Sequence, residues 1–88
     1  MSERGAIQVR DAYDDIREER AKQDQKWGGA SHDDRHGVVD WVSYITHHAV
    51  SALADANLFT FRRQMVRVAA LAVAAIESAD RADERSRR

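Results

Sequence analysis

Apolar residues recur three and four positions apart along three stretches of the chain, and no stretch alternates apolar with polar as a half-buried strand would. Between about Val38 and Ala56, Val38, Trp41, Val42, Ile45, Ala49, Ala52, Leu53 and Ala56 form one stripe. His48 lies at its edge beside Trp41 and Ala52, and Asp40, Tyr44, His47, Ser51 and Asp55 form the adjoining polar flank. A further helix is expected from Leu58, capped by Asn57 or Asp55, to about Asp80. Leu58, Phe61, Met65, Val68, Leu71, Ala72, Ala75, Ile76 and Ala79 supply its stripe, but Val68 to Ile76, VAALAVAAI, is apolar on every side. Such a helix must be covered all round, and two partner helices in one subunit cannot do it. The first stretch, about Ala6 to Lys26, carries only a thin stripe of Ile7, Val9, Tyr13, Ile16 and the stem of Arg20 on a charged background. The pattern therefore predicts an all-α fold in which a three-helix subunit assembles into an oligomeric, dimer-based helical bundle.

The punctuation fits. Proline, which would interrupt helices, is absent. Gly28, Gly29 and Gly37 bracket WGGASHDDRHG, which reads as an ordered loop with room for one short turn, Ser31 and Asp34 having the spacing of a capping box. Residues 1–80 form one domain, and the tail RADERSRR, residues 81–88, is charged and aperiodic and reads as frayed or disordered.

At 88 residues, a lone domain buries only about 60–65% of the surface its unfolded chain exposes, which again favours a homo-oligomer, dimer or tetramer. There is no cysteine, so thiolate chemistry is excluded and a reducing, cytoplasmic setting is expected. No apolar run approaches the roughly 18–20 residues that span a bilayer, so no membrane partner is expected. Fourteen basic residues balance fifteen acidic ones, so duplex nucleic acid is not an expected partner either.

Chemistry-bearing residues concentrate in the middle of the chain. His32, Asp33, Asp34, His36, Asp40, His47 and His48 fall within seventeen positions. His32 and His36 are spaced i, i+4, which on a helix brings two imidazoles to one metal ion. The bland alternative, that these residues cap helices and pair with arginines, carries more weight because glycines break the helix there. Trp27, beside Gly28, is placed either to stack on a ring or to plug the bundle, whereas Trp41 lies on the core stripe. Arg63 and Arg67, with Gln64 nearby, are spaced to fork around a phosphate, or to form surface pairs with Asp14 or Glu18. Ser51 has neither a triad spacing nor a Gly-x-Ser-x-Gly elbow.

The order RxxRxKQDxKWG, HDD, a Trp-led amphipathic helix and FRRQMVRVAALAVAAIES, residues 16–80, resembles the small MazG-like proteins, often phage-encoded, of the all-α nucleotide pyrophosphohydrolase superfamily. The resemblance implies a four-helix core across a dimer, with an E-x-x-E and an E-x-x-D holding magnesium against a triphosphate. In this chain those positions fall on His48 and Ser51, then Gln64 and Arg67, and every carboxylate is missing. Magnesium wants anionic oxygen ligands, and Arg67 would put a fixed positive charge in its seat. What remains is attractive to phosphate without a metal to activate water. The expectation is metal-independent binding, with possible sequestration, of a nucleotide or nucleotide-derived phosphorylated small molecule, with no catalytic residues and no cofactor. Its expected ligand-binding residues are Trp27, His32, Tyr44, His48, Ser51, Arg63, Gln64 and Arg67. One alternative is a magnesium-dependent nucleoside triphosphate pyrophosphohydrolase with a relocated site built from His32, Asp33, Asp34, His36 and Asp40. The other is a non-catalytic helical protein-interaction module.

Overall fold

A computed structural model of the protein describes residues 11–54 and 56–87, and among them there is no strand. The elements are α1 (Ala12–Trp27), the single short turn of helix α2 (Gly29–Asp33), α3 (Val38–Ser51) and α4 (Leu58–Ser86). No helix among the described residues is long and apolar enough to cross a membrane.

α1, α3 and α4 each begin where an amide at the helix start finds a side-chain acceptor. Asp11 is extended and its carboxylate accepts from the Asp14 amide, so α1 starts at Ala12, and the expected start at Ala6, with Ile7 and Val9, lies outside the described residues. The α1 stripe is thinner than the pattern suggests, since Tyr13 is exposed and only Ile16 and the Arg20 stem are half-buried. At the end of α1, Gly28 adopts φ +106°, a left-handed cap whose N–H donates to the Asp24 carbonyl. Asp40 caps α3 by accepting from the Gly37 amide at 2.9 Å. Asn57 caps α4 through the Thr60 amide at 2.8 Å, while Asp55 lies outside the described residues.

Two boundaries correct the sequence reading. α3 stops at Ser51 rather than Ala56, and Ala56 takes a positive φ of 53°; nothing local in the sequence explains the early stop. α4 runs to Ser86 rather than Asp80, so most of the tail expected to be irregular is helical. Its anchor is Asp34, a residue read as half of a capping box with Ser31. The Asp34 carboxylate instead accepts from Ser78 Oγ at 2.9 Å, from Arg81 through two nitrogens at 2.8–3.1 Å, and from Arg85 at 3.4 Å. The bidentate Arg81 contact dominates in holding the Asp34 carboxyl down from 3.8 to about 2.

α4 is the spine. α1 and α3 lie on it, α1 tied by Arg62–Asp15 at 2.7 Å and Arg20–Glu77 at 2.6 Å. The apolar core is small: Trp41, Ala52, Ala70 and Ala74 are buried, and no large side chain among the described residues is fully enclosed.

Candidate functional site

α1 and α3 straddle α4 without closing over it, and between them runs a groove of about 480 Å³. Its floor is Arg67, Leu71 and Ala74 of α4. One wall is the α1 face Glu19, Lys22, Gln23 and Lys26, residues spaced three and four apart and so stacked on one side of the helix. Trp41, Tyr44 and His48 of α3 form the other wall, and Trp27, His32, Asp33 and His36 close the end near α2.

That end is a chain of rings. Trp27 stacks on His32 with centroids 5.8 Å apart and planes 20° from parallel. His32 meets His36 edge-on at 4.7 Å, and His36 lies 5.1 Å from Trp41 and 5.4 Å from Tyr44. Gly28 makes this possible, because its left-handed cap turns the chain back so that α2 brings His32 over Trp27. Lys26 Nζ sits 4.8 Å from the Trp27 ring centre, a cation–π contact at the mouth. A cluster of aromatic rings at varied angles results, with the Lys26 ammonium against its Trp27 edge.

The charges are mixed but unequally engaged. Glu19 accepts from Gln23 Nε2 at 3.3 Å, and Asp33 lies 3.8 Å from the Arg20 guanidinium. Arg67, half-buried on the floor, has no hydrogen-bond or ion-pair partner among the described residues. Beside it His48 Nδ1 donates to Gln64 Oε1 at 3.0 Å, a bond that joins α3 to α4 under the groove. A second, shallower groove of about 240 Å³ continues past Arg67 between α1 and α4, lined among others by Lys22, Arg62, Arg63 and Arg67. Glu19, Lys22 and Arg67 thus stand where the two grooves meet.

Of the eight residues expected to bind a ligand, Trp27, His32, Tyr44, His48 and Arg67 line the main groove. Gln64 is buried beneath it, bonded to His48. Arg63 lies in the second groove with its guanidinium 5.4 Å from the Phe59 ring. Ser51 is not brought in: its hydroxyl donates to the His47 carbonyl of its own helix at 2.7 Å. Lys22 and Lys26 were missed, because on a charged helix they look like solvated background. Their i, i+4 spacing, with Glu19 and Gln23 on the same face, was the signal available.

The relocated metal site is not assembled. Asp34 is committed to arginines, Asp40 to the Gly37 amide, and Asp33 leans toward Arg20, while His36 Nδ1 donates to the Asp33 carbonyl at 3.3 Å. Among the described residues no three histidine, aspartate or glutamate side chains converge as metal ligands. A comparison with known protein families, characterised proteins and solved structures finds no match in any of the three.

Proposed function

We propose that the groove binds a nucleotide or other phosphorylated small molecule without a metal ion. The observation that carries this is Arg67: a half-buried guanidinium with no anionic partner among the described residues, at the foot of an aromatic wall and beside Lys22. Partial burial of an unpaired charge costs free energy, and an anionic ligand would recover it. A fork of N–H donors fits phosphate oxygens in a way that a point charge does not. The rings of Trp27, His36 and Tyr44 offer a planar group a stacking surface at the other end.

The MazG-like register supports the same reading. His48 and Gln64, at two of the four positions where that superfamily holds magnesium, are hydrogen-bonded to each other, and Arg67, a third, reaches the groove. With an imidazole, an amide and a guanidinium there, phosphate is held by donors and no metal-bound water is generated.

The test is incubation of the purified protein with a mixed nucleotide pool in EDTA or in magnesium, followed by chromatography of retained and free fractions. One intact nucleotide should be retained in EDTA. Arg67→Ala should weaken retention roughly ten- to hundredfold, the worth of about 1.5–3 kcal/mol for a charged hydrogen-bonding group, with Arg67→Lys in between. An untouched pool in both fractions, or magnesium-dependent conversion of a triphosphate to its monophosphate, would overturn the proposal.

A further inference from the structure

The short helix α2 puts two neighbouring carboxylates to different uses. Asp34 turns down onto α4 and is taken up by Ser78, Arg81 and Arg85. Asp33 lines the aromatic end of the groove, its side chain only 13% exposed. The backbone of Asp33 is fixed, because its carbonyl accepts from the His36 amide at 3.0 Å and from His36 Nδ1 at 3.3 Å. Its carboxylate is not. Among the described residues its nearest cation is Arg20 Nη1 at 3.8 Å, beyond hydrogen-bonding range. Arg20 spends its own donors elsewhere, on Asp24 at 3.3 Å and on Glu77 at 2.6 Å. It offsets the Asp33 charge and leaves the carboxylate oxygens with acceptor capacity at the groove. Glu19, the other acidic residue lining the groove, accepts from Gln23 and stands where the two grooves meet.

The two ends of the groove therefore ask for opposite things. Ser78, which holds Asp34, lies one turn beyond Ala74 of the groove floor, and Arg67 lies seven residues before Ala74, about 10 Å along the helix. A ligand that reaches both ends must be anionic at Arg67 and must offer hydrogen-bond donors at Asp33. Between them, the ring cluster favours a planar group that carries those donors on its edge.

Stacking does not choose among nucleobases, since every base has a π-face; the edge chooses. A carboxylate presents two acceptor oxygens side by side and no donor. Guanine presents two donors side by side, N1–H and the 2-amino group. Adenine and cytosine each set an amine beside a ring nitrogen lone pair, and uracil and thymine set a single N–H between two carbonyls, so with any of these one carboxylate oxygen meets a lone pair. Lys26, at the same end of the groove, supplies a donor of the kind that guanine O6 accepts.

We infer that Asp33 makes the groove selective for a guanine nucleotide, accepting from N1–H and from the 2-amino group. The inference rests on the proposed phosphate site and adds the base to it. Its probes are GMP, IMP, AMP and UMP, which share one ribose phosphate, so that differences in Kd report the base alone. Calorimetry of the full chain in EDTA should give GMP the lowest Kd. IMP, which lacks the 2-amino group, should bind roughly tenfold more weakly, and AMP roughly a hundredfold. Asp33→Asn offers one acceptor and one donor, the complement of the adenine edge, and should strengthen AMP while it weakens GMP. Structural damage would weaken both. Arg67→Ala should weaken GMP and AMP by the same factor, because the phosphate is common to them.

Equal Kd for GMP, IMP and AMP would overturn the role of Asp33 and leave the phosphate site standing, as would a guanine preference that survives Asp33→Asn. Should that variant fail to fold, GMP against IMP on the wild type decides by itself. If none of the four probes binds, the mixed pool separates the two claims. A retained nucleotide without guanine overturns the role of Asp33 alone, and an untouched pool overturns the phosphate site with it.

Discussion

Single side chains in the groove divide into those that hold shape and those left with unused bonding capacity. His48 and Gln64 satisfy each other, whereas Arg67 and Lys22 face the groove without an ion pair among the described residues. Trp27 is the natural reporter of occupancy. It is 54% exposed, while Trp41 is 9% exposed and walled in. A ring stacking on the aromatic end should quench and shift Trp27 emission, and most of the change should be lost in Trp27→Phe, leaving the smaller response of Trp41, which also lines the groove. A full response retained in Trp27→Phe would move the ring-binding surface away from the α1–α2 turn. These roles were half legible. Trp27, His32, Tyr44 and His48 could be gathered from the sequence because Trp, His and Tyr are few in this chain, and Arg67 because it stands i, i+4 from Arg63. Lys22 and Lys26 could not, because their meaning depends on which side of α1 faces α4, and a helix with so thin an apolar stripe does not announce that side.

At the scale of elements, the length of α4 depends on a residue far from it in sequence. Composition marks residues 81–88 as an irregular tail, yet Arg81 and Arg85 lie over Asp34 and the helix continues to Ser86. Local propensity cannot foresee a long-range partner; the helices from Val38 and Leu58 were legible because strong stripes mark both and Asn57 offers a cap to the second. The clasp makes a pH prediction. The folded Asp34 carboxyl titrates at about 2, below its ordinary 3.8, so the unfolded chain takes up the proton first. The stabilisation is fully present above 3.8 and disappears as pH falls toward 2. Asp34→Asn should therefore lower Tm at neutral pH, and the gap from wild type should close between those two values. A gap independent of pH would show that the aspartate acts through packing rather than charge. Circular dichroism should also show the loss of helical signal from the end of α4.

The whole molecule poses a question of sufficiency. Among the described residues the buried apolar ones are Trp41, Ala52, Ala70 and Ala74, which set little against the conformational entropy of ordering the chain. The sequence signalled this through VAALAVAAI, whose apolar character on every side exceeds what α1 and α3 cover. If the missing burial comes from a second copy, folding and association are one equilibrium, and stability must depend on protein concentration. The Tm should then rise steadily with concentration, and Ala72→Glu, if it folds at all, should melt at a lower and concentration-independent temperature. Ligand affinity should behave differently if the second copy sits on the side of α4 away from Arg67, Leu71 and Ala74, the residues that α4 turns to the groove. Binding measured well above the dissociation point of the dimer should give the same affinity at every protein concentration. Below that point apparent affinity should fall only to the extent that the separated subunit unfolds, and an affinity that falls while the helical signal is intact would mean that the second copy shapes the groove.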